Sequence, residues 1–232
     1  MKFRKLLQYL LVQKIRVSNK EAIRLITTQG ILVNNERVFE NIELTITDTV
    51  TYNNITLKKG VNLVHIAYYK PRGIECTMNT SIANNLQTQL PFAHKVFHVG
   101  RLDKESEGLL LLTNNGALHD ALLRKEHSIT KTYNVRVDKP LTPEFVTALR
   151  TGIVIMGQLT LPATVVELSN YEFSITLTQG LNRQIRRMCY KYSYEVTQLV
   201  RVGFANLTLG NLTPNEYEYV TEQAIVGEHI TP

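Results

Sequence analysis

The sequence predicts an α+β chain in two parts, a small N-terminal unit over residues 1–58 and a larger strand-rich unit over residues 59–232. Three observations carry that prediction. Beyond residue 60, strand-like and helix-like segments follow one another without regular alternation, which argues against a doubly wound parallel sheet. The texture changes at Lys58-Lys59-Gly60, a short polar stretch, from helical periodicity to long β-type alternation. Charge is segregated too. The chain has 26 Lys+Arg against 20 Asp+Glu. Residues 1–24 hold seven of the basic residues against Glu21 alone, so the whole net charge of +6 resides in that stretch.

Local signals place the elements in order. Residues 4–13 read as a short helix. Ser18-Asn19-Lys20-Glu21 has the spacing of a capping box opening a second helix, with an apolar stripe of Ala22, Leu25 and Ile26 and with Gly30 as C-cap. Ile31 to Val33, an Asn34-Asn35 turn and Val38 read as a tight hairpin. In the second part, strands are predicted at Asn62 to Tyr68, Leu109 to Thr113, Thr132 to Val137, Thr164 to Leu168, Tyr171 to Thr178, Val196 to Val200 and Phe204 to Leu209. Helices are predicted at Ala117 to Arg124, Pro143 to Arg150 (Thr142 as N-cap, Pro143 in the first turn) and Arg183 to Tyr192.

Composition narrows the function. With 44% hydrophobic residues the chain can bury a core, and its purely apolar runs fall far short of the roughly 20 residues of a membrane helix. No signal peptide is read at the basic N-terminus. Cys76 and Cys189 form no framework, so reduced thiols and a cytoplasmic location are expected. His94 and His98 stand four apart, but no HExxH and no cysteine cluster completes a metal site, so no metal is expected. No P-loop or GxGxxG is present. Two basic clusters, residues 1–24 and Arg183 to Arg201, point to a polyanion as partner.

The segment that stands out chemically is Gly100-Arg101-Leu102-Asp103, running through Lys104-Glu105-Ser106-Glu107-Gly108 into Leu109-Leu110-Leu111-Leu112. A polar loop feeding a fully apolar strand can hold a carboxylate rigidly at the lip of the core. Taken alone, these residues fit a solvated surface loop better.

Longer motifs reverse that balance. Gly100-Arg101-Leu102-Asp103 with Glu107 to Asn114, then Lys131-Thr132-Tyr133, then Gln179-Gly180-Leu181-Asn182-Arg183-Gln184-Ile185-Arg186-Arg187-Met188-Cys189 resemble three successive motifs of RNA pseudouridine synthases. The branch they resemble contains the small-subunit synthase A and the large-subunit synthases B, E and F, and the Gly-Leu-Asn-Arg run is closest to F. Arg4-Lys5-Leu6-Leu7, Ser18 to Ala22 and Gly30 to Asn35 resemble the S4 RNA-binding module. The order, S4 module then catalytic domain, covers nearly the whole chain.

The resemblance implies a catalytic domain on a largely antiparallel mixed sheet with flanking helices. It implies Asp103 as the catalytic aspartate, Arg186 as the arginine that pairs with it, and Tyr133 as the tyrosine that stacks on an extruded base. Val200 falls near an aliphatic contact to the same pocket. RNA contacts are implied for Arg4, Lys5, Lys20, Arg24 and Arg101, with Arg183 and Arg187 as backbone clamps. A carboxylate suits breakage of a C1′–N1 bond, and a nearby cation keeps it ionised. No cofactor is implied. The implied substrate is ribosomal RNA, in the peptidyl-transferase region of 23S rRNA, acted on by a monomer. The alternatives are a uridine in 16S rRNA or tRNA, or a non-catalytic RNA-binding or ribosome-assembly factor. The chain departs from the family at Lys104-Glu105-Ser106, where a second Asp is common, and at Phe204 and Ala205.

Overall fold

The computed structural model describes residues 3–92, 95–123 and 129–227, and the chain divides into two compact units between Leu63 and Val64.

In the first unit a 3-10 turn, Phe3–Lys5, precedes α1, Leu7–Ile15. Helix α2, Asn19–Gln29, opens where the sequence predicts: Ser18 Oγ accepts the Glu21 N–H at 3.1 Å. Gly30 ends it at φ +68°, its N–H donating to Ile26 O. β1, Ile31–Val33, and β2, Glu36–Val38, pair through Asn34 and Asn35. Both asparagines have positive φ, as a type I′ turn requires.

Sequence reading missed β3, Val50–Tyr52, and β4, Ile55–Lys58, a second hairpin turned by Asn53-Asn54. They complete a four-stranded sheet in the order β2-β1-β3-β4. Lys58 therefore belongs to the first unit and not to a linker. Its Nζ donates to the Ile46 and Asp48 carbonyls, and the Gly60 N–H donates to Thr49 Oγ1. Leu7, Leu11, Ala22, Ile26, Ile31, Val33, Leu44 and Val50 form the core.

The second unit is built on a nine-stranded sheet. Its strands are β5, His65–Lys70; β6, Phe97–Val99; β7, Glu107–Thr113; and β8, Lys131–Val137. A separate two-stranded hairpin, β9, Val154–Ile155, and β10, Gln158–Leu159, comes next. The sheet resumes with β11, Thr164–Ser169; β12, Glu172–Leu177; β13, Val196–Phe204; β14, Leu207–Thr208; and β15, Tyr217–Tyr219. The strand order is β11-β12-β8-β13-β7-β5-β15, with β6 also on β7 and β14 also on β13. Among the described pairs only β13 with β7 is parallel. Helices α3, Leu86–Gln89; α4, Gly116–Leu123; α5, Pro143–Thr151; α6, Gln184–Lys191; and α7, Glu222–Val226 flank it.

The strand predicted at Val196 to Val200 is longer than expected, and the one predicted at Phe204 to Leu209 is broken by a turn at Ala205-Asn206 before β14. β13 runs through Phe204 because it stays paired with β8, shifting register between Arg201 and Gly203 instead of ending there. Arg183 caps α6 in the left-handed region, φ +51°, and is not inside the helix. His98 lies in β6, not on a helix; His94 and Arg124 lie outside the described residues. Alternation along β5 and β7 sends Ile66, Tyr68, Leu110 and Leu112 into one core cluster and Ala67, Tyr69, Leu109 and Leu111 into another. A third cluster lies between α5, α6 and strands β8, β12 and β13.

Candidate active site

The loop from Gly100 to Ser106 hangs where the sheet forks. β7 is paired with β5 from Lys70 opposite Gly108 to His65 opposite Thr113. On its other edge β13 pairs at Glu107 and Gly108, and β6 takes over from Leu111 to Thr113. A main-chain carbonyl in such a fork must find another donor. Leu109 O finds one in Arg201, whose Nε donates to it at 2.7 Å. Arg201 is 1% exposed, and its Nη1 also donates to Arg101 O at 3.4 Å. One buried guanidinium thus ties the outgoing arm of the loop to the returning strand, on both sides of Asp103.

Gly108 makes that close pairing possible. Its φ is +103°, and a Cβ there would stand 2.4 Å from Arg201 O, far inside van der Waals contact. The rest of the loop is held by neutral main-chain bonds. Ser106 N–H donates to Asp103 O at 3.0 Å, and Gly73 N–H donates to Lys104 O at 2.8 Å. Leu102 is buried in the core cluster next to it. Behind Gly73, buried Lys70 donates to the Pro71 and Ile74 carbonyls at 2.9 and 2.8 Å. Burial pushes the Lys70 ammonium down to about 8, against the raising influence of Cys76, Glu107 and Asp103.

The Asp103 carboxylate is half-buried, and Arg183 Nη1 is 3.9 Å from its Oδ2. This differs from the sequence expectation, which gave that role to Arg186. Arg186 donates instead to Glu105 O at 2.9 Å and Val196 O at 3.0 Å, so it staples the loop to the start of β13. Burial, then the neighbouring Arg183, lower its guanidinium from the ordinary value, while Asp103 opposes the shift. The reason for the exchange is the left-handed conformation of Arg183, which starts α6 one residue after it. Arg187 folds back on Asn182, donating to its O and Oδ1 at 3.0 and 3.1 Å. Arg72 also reaches this loop, 3.4 Å from Glu105 Oε2 and donating to Thr197 O at 3.3 Å.

Tyr133 lies on β8 directly opposite Arg201 of β13, which in turn faces Gly108 of β7. It is partly buried and packs against two core clusters at once, the one under α6 and the one holding Leu102. Its strand neighbours Val135 and Val137 are buried on the same face, so core packing and an exposed ring edge coexist. Val200 sits one rung away, opposite Glu107 and Asn134. Ser106 Oγ, Arg186 Nε and Arg201 Nη2 are the buried side-chain polar atoms without a hydrogen-bond partner among the described residues. All three border the one loop, a concentration that sets it apart from the well-satisfied rest.

The structure brings Asp103, Arg183, Arg186 and the Tyr133 rung together, with Arg101 exposed on the loop. Arg4, Lys5, Lys20 and Arg24 belong to the first unit and are exposed; Lys5 is 3.6 Å from Glu43 and Arg24 3.9 Å from Glu21. Sequence reading missed Arg201, Lys70 and Arg72. The signal for Arg201 was a lone arginine in an otherwise apolar strand; Lys70 and Arg72 flank a Pro in a Gly-terminated turn. Among the described residues no His, Cys, Asp and Glu group has metal-ligand geometry. Chemically, the site presents one half-exposed carboxylate on a braced loop with several guanidinium groups around it and Tyr133 on the strand paired with Arg201, suited to act on an anionic substrate.

The sequence profile of RNA pseudouridylate synthases matches residues 64–191, the segment that contains this loop, Tyr133 and the arginine run. The chain belongs to the RNA pseudouridine synthase family, a family of isomerases. Dual-specificity RNA pseudouridine synthase RluF of Salmonella typhi is 36% identical over 211 residues, 90% of this chain and 73% of that protein. The enzyme of the same name from Escherichia coli K12 gives the same figures. A crystal structure of a pseudouridylate synthase is 24% identical and superposes with a TM-score of 0.66, covering 95% of this chain and 97% of that one. The pseudouridine synthase fold, α+β on a mixed and mostly antiparallel sheet, is therefore the fold of this chain.

Proposed function

We propose that this pseudouridine synthase isomerises a uridine in ribosomal RNA, in the peptidyl-transferase region of 23S rRNA, with Asp103 as its catalytic carboxylate. The observation that carries the reading is the brace itself: a carboxylate on a loop tied down on both sides by buried Arg201, 3.9 Å from a guanidinium, beside an aromatic rung. In isomerisation the uridine C1′–N1 bond breaks, the base rotates, C1′ bonds to C5, and the C5 proton leaves while N1 gains one. Asp103 serves either by adding to C1′, later displaced by C5, or by taking the 2′ proton to give a glycal and returning it.

Arg183 balances the carboxylate's charge, and Arg186 acts through the loop main chain as a positioning residue. Tyr133 offers its ring edge to the extruded base. Flipping costs a few kcal/mol from a duplex and less from a loop or bulge, which favours structured rRNA. The first unit, S4-like in its helix–helix–hairpin order, docks the RNA through Arg4, Lys5, Lys20 and Arg24, with Arg101, Arg183 and Arg187 near the reacting base.

The relatives' dual-specificity name supports a second RNA class, 16S rRNA or tRNA, as an alternative target. Incubating the protein with unmodified 23S, 16S and tRNA transcripts, then mapping pseudouridine by carbodiimide-dependent reverse-transcription stops, tests the assignment. A stop confined to 23S transcripts is expected; stops only in another RNA overturn the 23S assignment.

A further inference from the structure

α6 extends past the arginines around Asp103 to Tyr190, a residue that the uridine chemistry does not use. Arg187 and Tyr190 stand three apart in a stripe on one face of the helix, and Arg183, also exposed, caps its start. The opposite face, Ile185, Met188 and Cys189, is buried in the core. Tyr190 is 80% exposed, more than any other large hydrophobic side chain among the described residues. A single exposed ring is ordinary on a protein surface; this one is set apart by its place on a cationic helix whose cap lies at Asp103. α6 has Arg186, Arg187 and Lys191 and no acidic residue, so its free face suits a polyanion and repels a basic surface. Asn182 holds the Arg187 guanidinium in place, and Arg183 is fixed at the helix start beside Asp103.

We infer that this stripe is a track for an unpaired RNA strand, with Tyr190 stacking on a base that flanks the target nucleotide. The inference rests on the proposed RNA chemistry and adds a contact to it. The spacing fits. Seven residues of helix span about 10 Å, so a strand entering at Asp103 reaches Tyr190 within a few nucleotides. An aromatic ring on a cationic surface is also how proteins hold single-stranded RNA without reading every base.

The chain contains no tryptophan, so Tyr190→Trp installs a single indole reporter at the stripe. The test uses the full chain with Tyr190→Ala, Tyr190→Phe and Tyr190→Trp, a 23S rRNA stem-loop with an unpaired flank, and a fully paired duplex of equal length. RNA with the unpaired flank quenches the introduced indole and the duplex does not. Tyr190→Ala raises KM for the stem-loop about tenfold, within the range of one lost base stack, without lowering the melting temperature, and Tyr190→Phe restores it.

An indole that ignores the stem-loop, or a Tyr190→Phe defect as large as that of Tyr190→Ala, overturns the stacking role. Emission that changes with protein concentration in the absence of RNA also overturns it, because a second copy then covers the stripe. Wild-type turnover alongside an unmoved indole defeats this inference and leaves uridine isomerisation intact. A quenched indole with no turnover on any RNA supports the stripe and defeats the isomerisation reading.

Discussion

At the scale of single residues, two arginines that look interchangeable in Asn182-Arg183-Gln184-Ile185-Arg186 do different work. Arg183 meets the Asp103 carboxylate across a half-exposed gap of 3.9 Å. Exposed ion pairs of this kind stabilise a fold by about 0–1 kcal/mol. Arg186 is partly buried and donates to two main-chain carbonyls, and a hydrogen bond of that type contributes about 0.5–1.5 kcal/mol. Arg183→Ala therefore lowers single-turnover pseudouridine formation while leaving the urea midpoint near wild type. Arg186→Ala lowers both. Equal midpoints for the two variants would contradict the division of roles. The motif made Asp103, Tyr133 and the arginine run legible in the sequence. Which arginine faces the carboxylate was not legible, because it depends on the left-handed turn at Arg183. Arg201 showed in the sequence only as one arginine of a basic cluster; its role comes from a carbonyl left over where three strands meet, a fact of pairing and not of local sequence.

At the scale of elements, local chemistry was read well where it is local. Ser18, Gly30 and Thr142 mark helix ends as the sequence suggests, since a cap needs only its own turn. The hairpins β3–β4 and β9–β10 escaped notice because their strands are only two to four residues long, and β15 and α7 because their partners lie far along the chain. α7 is tied to the sheet by such a distant group. His65 of β5 shares a 2.8 Å hydrogen bond with Thr113 Oγ1 of β7 and lies 3.7 Å from Glu222 Oε2 of α7, which also accepts from Asn115 Nδ2 at 3.2 Å.

Burial lowers the His65 pKa below its ordinary 6.5, with Glu222 pulling the other way. The native state therefore binds fewer protons than the unfolded chain once the pH drops beneath about 6.5, and stability falls as acid is added below that point. His65→Gln removes this dependence. Melting curves between pH 5 and 8 check it: the wild-type temperature falls on the acid side, and the variant's slope there is shallower. Parallel slopes would show that other groups govern the acid limb.

At the scale of the whole molecule, charge divides as the compact units do. The N-terminal concentration of basic residues coincides with one unit, and the Asp103 loop sits in the other, whose three clusters form a core of their own. Among the described residues no helix is long and apolar enough to cross a membrane. The two-part organisation was legible from charge and texture, although the boundary lies beyond Lys58 because a polar hairpin closes the first sheet. Deleting residues 1–63 removes Arg4, Lys5, Lys20 and Arg24. If these contact phosphates, affinity for rRNA falls and the slope of log K against log salt becomes shallower by about 3. Filter binding across a salt series reads both quantities, and an unchanged slope would exclude the first unit from RNA docking.

Everything functional here turns on Asp103 as a reacting carboxylate and not a structural one. Release of tritium from C5-labelled uridine in 23S rRNA, measured for wild type and Asp103→Asn alongside RNA affinity, addresses that directly. Release by wild type alone, with the variant binding RNA as tightly, is the expected result. Release by Asp103→Asn at the wild-type rate, or loss of its RNA binding together with its activity, would contradict the catalytic role.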